Sequence, residues 1–303
     1  MTTITADIGG TKIAAARITD DGRVDGDVVS VDTPATAGAL AIIRETVLCL
    51  RRVRNDTTTA VGISCAGVVD TSRGRIVGAT QSLAGWAGTH VATQIGEALG
   101  LPTVAIGDGH AFALGEAAYG QAAGHTSALV LAVGTGIGGS YIERGRPMLG
   151  SHWAAGHFGH LPVAQAAGIP CDCGRVGHLE AIASGAGMVR AYHRTGGDQA
   201  VTHARELMTR LDTDAGARTA VGVAAEALGC AAGGLANAFD PEIVVIAGGV
   251  AQAGAHWRNP VQAAFQATLI PALAGMTLAF SDGGSWLALR GAAAYAQASG
   301  AQE

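Results

Sequence analysis

The sequence predicts a mixed α/β fold in which one sheet unit is used twice, and three observations carry that expectation. Residues 3–8 and 11–18 read as two strands joined by the Gly9-Gly10 turn. Residues 127–133 and 140–143 repeat the pattern around a glycine-rich turn at 134–139. After each hairpin, helical periodicity alternates with short apolar strands, as it does where helices join parallel strands.

The elements are taken in chain order. A third strand at 24–31, reached through Asp20-Asp21-Gly22, turns the first hairpin into an antiparallel meander. Leu40, Ile43, Val47 and Leu50 set a helix over 39–52, and 61–64 is a short apolar strand ahead of Gly67. A helix over 88–99, a strand over 103–106 and a helix over 110–118 come next. In the second half, an alanine-rich helix over 215–238 precedes Asp240-Pro241, a strand over 242–247 and the turn Gly248-Gly249. Residues 263–269, a strand at 277–280 and a last helix near 286–297 complete the chain. The expected division is one lobe of residues 1–108 with about 287–303, and a second lobe of 109–286.

Composition narrows the class. Hydrophobic residues make up 49% of the 303 and charged residues 14%, so the chain can bury a large core and is not disordered. Its 46 glycines are about twice the usual ~7%. A formal net charge of −5 leaves no basic footprint for nucleic acid. Apolar runs such as 128–133 and 243–247 fall far short of the ~20 residues that span a bilayer, and residues 1–7 lack the regions of a signal peptide. A cytoplasmic protein without a membrane or nucleic-acid partner is expected. Five cysteines, two of them one residue apart at Cys171 and Cys173, argue for metal ligation over a disulfide framework.

The 134–139 turn satisfies G-x-G-x-x-G, but residues 140–143 directly after it read as a strand rather than a helix, which excludes a Rossmann dinucleotide site. A glycine turn alone is as readily a plain bend as an anion nest. Two of them heading similar halves favour phosphate binding at Gly9, Gly10 and Thr11 and at Gly134, Thr135 and Gly136. Lys12, the only lysine in the chain, stands beside the first turn as a point charge for phosphate or as a solvated strand residue. Asp7, at a strand end, suits a hydrated magnesium ion. Asp108 follows a strand and Gly107, where α/β active sites gather. It reads as a helix N-cap, the commoner local role, or as a base that accepts a proton from a substrate hydroxyl.

The segment His157-Phe158-Gly159-His160 and the run Cys171-Asp172-Cys173-Gly174-Arg175-Val176-Gly177-His178-Leu179-Glu180 form the sharpest constellation. His160, Cys171, Cys173 and His178 supply four ligands for tetrahedral zinc, a closed and therefore structural site. Cys49, Cys65 and Cys230 lie in apolar stretches and read as inert thiols.

Together these motifs resemble the ROK family of repressors, open reading frames and sugar kinases, from Asp7 to the last helix, most specifically in the Cys/His region. The resemblance implies an actin-like, ribonuclease H-related two-lobe fold with ATP-Mg bound between the lobes. It implies phosphate loops at 7–12 and 134–139, an adenosine-contacting turn at Gly248 and Gly249, and Asp108 as general base. Sugar contacts would come from His157, His160 and Glu180, with Gly67, Ser82 and Gly107 on the sugar side. ATP, Mg2+ and a structural Zn2+, a sugar substrate and a homodimer are implied as well. His157, where the family usually has glutamate, makes the resemblance greatest to bacterial N-acetylmannosamine kinases. Three positions depart from the pattern: His178 replaces a third cysteine, and Gly107 and Ser82 stand where asparagines normally help bind sugar hydroxyls. The expected activity is phosphorylation of the 6-hydroxyl of N-acetylmannosamine. A glucokinase-like hexokinase and a catalytically weakened sugar-binding homologue are the alternatives. A repressor of the family would carry a helix-turn-helix ahead of Asp7, where six residues stand.

Overall fold

The first hairpin pairs β1 (Thr2–Ile8) antiparallel with β2 (Lys12–Thr19) in a computed structural model that describes residues 1–79, 83–282 and 286–300. The third strand, β3 (Val29–Asp32), is shorter than the expected 24–31. Gly22 and Gly26 both take positive φ and turn the chain twice, which leaves Val24 with an isolated bridge to Ile18. Next come α1 (Ala39–Val53), β4 (Thr58–Cys65), the hairpin of β5 (Val68–Asp70) and β6 (Arg75–Gly78), α2 (Val91–Leu99), β7 (Thr103–Gly107) and α3 (Asp108–Tyr119). The sheet order is β3-β2-β1-β4-β7, with β4 parallel to β1 and β7.

The chain folds into two compact units, residues 1–123 with 145–155 and 285–303, and residues 124–144 with 156–284. The second contains β8 (Ser127–Val133) and β9 (Ile137–Glu143), while the two-residue strand β10 (Arg146–Pro147) falls in the first. Then come α4 (Glu180–Ala183), α5 (Gly185–Arg194), α6 (Ala204–Met208), α7 (Ala215–Phe239), β11 (Ile243–Ala247), α8 (Ala255–Thr268) and β12 (Thr277–Phe280). The last helix, α9 (Leu287–Gly300), belongs to the first unit. Within the second unit the strands run β9-β8-β11-β12, β8 antiparallel to β9 and β11 parallel to its two neighbours. That repeats the sense of β2-β1-β4-β7, so the expected duplicated mixed sheet is present.

Each unit has its own core. In the first, Ile4, Ile8, Ile13, Leu50, Ile63 and Trp86 pack on one side of the sheet, and Ala16, Leu289 and Ala293 on the other. In the second, α7 lies among Leu131, Ile246, Trp257 and Phe265; a fully buried side chain such as Phe265 contributes about 1.5–3 kcal/mol. The glycine surplus has a packing cause here. A Cβ on Gly233 of α7 would sit 2.7 Å from Thr268 Cβ of α8, and one on Gly291 of α9 would meet the backbone of α3, so these helices approach at backbone contact. Among the described residues α7 is the helix long and apolar enough to cross a membrane, but over half of its apolar window is buried in this core.

Candidate active site and metal-binding cluster

In the first unit, parallel pairing aligns Asp7 with Ser64 and Cys65 with Gly107, so the carboxyl ends of β1, β4 and β7 share one edge. The Ser64 hydroxyl donates to Asp7 Oδ1 at 2.6 Å. Loss of surrounding water raises the Asp7 carboxyl above the usual carboxylate range, and the bond from Ser64 opposes that rise. Asp108 is not the N-cap that local sequence favours. Gly107 takes the extended cap conformation, and Asp108 is the first helical residue, its Oδ1 accepting the Gly109 N–H at 2.7 Å. Its side chain is open to solvent, yet the protein around it strips enough water, with the Asp7 charge adding to the effect, to push its pKa up to about 6. Cys65 is fully buried near both carboxylates, and its thiol is raised well above normal, which makes it inert.

The first glycine turn is closed by Gly9 N–H donating to Lys12 O at 3.0 Å. The Thr33 hydroxyl donates to Gly9 O at 2.8 Å and its N–H to Thr11 O at 2.9 Å, so Thr11 and Lys12 project exposed from a braced turn. Gly67 and Gly107 lie together, since a Cβ on Gly107 would be 3.4 Å from Gly67 O and 3.1 Å from His110 Nδ1. Ser82 lies outside the described residues.

In the second unit, Gly134 N–H donates to Gly136 O at 2.9 Å, and Gly185 N–H, at the start of α5, donates to Gly134 O at 2.8 Å. Gly248, with φ +86°, abuts the backbone of Val133, which puts the Gly248-Gly249 turn beside the 134–136 turn. Glu180 Oε2 accepts the Ile137 N–H at 2.7 Å. His157 and His160 stand with ring centroids 6.0 Å apart and planes 19° from parallel. A Cβ on Gly159 would lie 3.2 Å from Glu180 Cβ, so the histidine turn packs onto Glu180.

The donor atoms of His160, Cys171, Cys173 and His178 lie within 4.8 Å of one another. Cys171 Sγ is 3.8 Å from His160 Nδ1, and Cys173 Sγ is 3.2 Å from His178 Nδ1. Tetrahedral zinc, with bonds of about 2.0–2.3 Å to nitrogen and sulfur, sets its donors roughly 3.3–3.8 Å apart, so the donor set suits that metal and these two pairs stand close to its spacing. Backbone bonds pre-form the loop: Val163 N–H to Gly177 O, Gly177 N–H to Ile169 O and Cys171 N–H to Arg175 O. Loss of water lowers the His160 imidazole, which favours the neutral, ligating form.

With this geometry established, the sequence model of the ROK family matches residues 3–299. The chain belongs to the ROK family. It is 30% identical to a glucokinase of Halalkalibacterium halodurans over 88% of this chain and 86% of that one. It is 34% identical to an N-acetylmannosamine kinase of Citrobacter koseri over 72% and 80%. The crystal structure of a ROK family glucokinase from Streptomyces griseus, in complex with glucose and AMPPNP, superposes with a TM-score of 0.84 at 28% identity, over 98% of this chain and all of that one. The fold is thus the actin-like fold of ROK sugar kinases.

In this ROK chain the sequence motifs converge unit by unit. Asp7, Lys12, Gly67, Gly107 and Asp108 belong to the first unit, and the 134–136 turn, Gly248, His157, His160, Glu180 and the Cys/His cluster to the second. Ser64 escaped sequence reasoning, although a small polar residue within the apolar 61–65 strand was its available signal. The Ile137 N–H carries no side-chain signal at all.

Proposed function

We propose that this chain transfers the γ-phosphoryl group of ATP to the 6-hydroxyl of a hexose, with N-acetylmannosamine as its first substrate. It is an ATP-dependent sugar kinase, as its ROK membership and its relatives support. The observation that carries the chemistry is Asp108, a solvent-reachable carboxylate at a strand end with its pKa pushed up to about 6. A base tuned near working pH accepts a proton efficiently. As the O6–phosphorus bond forms and the bond to the leaving nucleoside diphosphate breaks, the hydroxyl proton passes to Asp108. Magnesium, when bound, neutralises phosphate charge. Asp7, oriented by the hydrogen bond from Ser64, would hold it. Lys12 and the 134–136 turn would bind the phosphates, and Gly248 and Gly249 the adenosine. His160, Cys171, Cys173 and His178 would hold zinc, whose contribution is to fix the loop carrying the sugar contacts His157, His160 and Glu180.

N-acetylmannosamine is favoured over glucose because Gly107 and Ser82 are small residues where asparagines are usual, and because His157 can donate as well as accept. An N-acetyl group adds bulk and an amide that needs partners once desolvated. Glucose is the second reading, since the glucokinase relative aligns over more of the chain. Measuring ATP consumption over a hexose panel decides. The expected kcat/KM for N-acetylmannosamine exceeds that for glucose by at least about tenfold, ~1.4 kcal/mol of transition-state preference. Equal or reversed values assign the chain to glucose, and no turnover of any hexose supports a sugar-binding homologue instead.

A further inference from the structure

Glu180 touches two parts of the second unit at once. Its Oε2 accepts the N–H of Ile137, the residue that leaves the 134–136 turn and begins β9. A carboxylate acceptor makes that bond charge-assisted and roughly twice as strong as a neutral one. The contact is close on every side: a Cβ on Gly136 would stand 2.6 Å from Oε2, and one on Gly159 only 3.2 Å from Glu180 Cβ. Oε2 is therefore committed to the turn. Oε1 lies farther from it, 3.9 Å from the same Gly136 position, and accepts no described hydrogen bond. Gly159 stands between His157 and His160, so its close approach to Glu180 sets that side chain against the histidine turn.

We infer that Glu180 is a positioning residue for the glycine turn at 134–136, so that a sugar hydroxyl donating to Oε1 and a nucleotide phosphate on the turn bind cooperatively. The inference rests on the kinase reading above and adds a link between its two substrates. A sugar that orders the Glu180 side chain removes part of the entropy the turn must lose to bind phosphate. By linkage, the nucleotide then tightens the sugar by the same factor.

The experiment measures Mg-AMPPNP affinity by calorimetry, with and without N-acetylmannosamine or glucose, together with amide exchange of Ile137, in the full chain. In wild type the sugar that is turned over tightens AMPPNP. Without sugar, Glu180→Ala weakens AMPPNP by about fivefold or more, speeds Ile137 exchange and abolishes the sugar effect. Glu180→Gln keeps a neutral oxygen that accepts the same N–H, so AMPPNP affinity and Ile137 exchange fall between wild type and the alanine variant while kcat/KM for the sugar falls. Glu180→Asp, one methylene shorter, loosens the bond to the Ile137 N–H and reproduces the nucleotide loss should Glu180→Ala not fold. Wild-type AMPPNP affinity in Glu180→Ala, or Glu180→Gln as weak as the alanine variant, overturns the inference and leaves the kinase reading standing. A wild-type chain that binds no AMPPNP overturns both.

Discussion

At the residue scale, Asp108 and Asp7 hold their charges at some cost to the fold. Folding raises the Asp108 carboxyl from the ordinary range to about 6. Between those values the native state binds more protons than the unfolded chain, so stability falls as pH rises through that window, and the penalty is complete above it. Asp108→Asn removes the penalty while its amide oxygen still accepts the Gly109 N–H. The variant should melt no lower than wild type at pH 8, and its turnover should fall by roughly 10²-fold or more because no proton acceptor remains. The wild-type kcat/KM profile should lose activity on its acid side with an apparent pKa of about 6. A limb in the ordinary carboxylate range, or near-normal turnover in Asp108→Asn, removes Asp108 as the base. Asp108 stood out as a candidate because a strand, a glycine and an aspartate form a local signal, but that signal reads first as a helix cap and the base role came with the family resemblance. Ser64 did not stand out, because its bond to Asp7 depends on a register between residues 57 positions apart.

At the element scale, the loop from His160 to His178 is anchored by few apolar contacts, Ala166 buried in the second core with Leu161, Val163 and Ile169 packed against it. Its closure rests on backbone bonds, on the positive-φ glycines Gly174 and Gly177, and on the four donor atoms. One zinc per chain is the expected result of metal analysis on purified protein, and Cys171→Ser should lose it. His178→Cys should keep it, since a thiolate can take the same corner of the tetrahedron. Metal-free protein, or full activity after exhaustive chelation, tells against the site. Ligand spacing was readable because all four donors lie within 19 residues of one another. Elements whose pattern is diluted by glycine were not readable, among them β5 and β6, α5 with Gly185 and Gly187, and the true length of β3. In those segments turns and close backbone contacts decide the path, and hydrophobic periodicity is silent about both.

At the scale of the whole molecule, duplication was visible because each hairpin restarts the same order of elements, and each copy carries a separate core. Separate cores mean that local losses stay local, because an amide exchanges through the smallest opening that exposes it. The Cys/His loop is fastened to the second core: Leu179 is fully buried there, its N–H donates to Leu161 O, and Phe158 and Ile182 pack in the same cluster. Removing a metal held there should free the loop and loosen those attachments, then the 134–136 turn through Glu180 and Gly185. Nothing in that chain of contacts involves Ile4, Ile63 or Ala105, which lie in the first core. Chelated protein should therefore show faster amide exchange, by about tenfold or more, over residues 157–185 and at Ile137, while β1, β4 and β7 keep wild-type protection. A tenfold change corresponds to about 1.4 kcal/mol of local opening free energy, small enough to leave the second core folded if the loop is an attached subdomain. Equal loss of protection in both units would mean that the two cores unfold as one, and that the metal stabilises the whole chain.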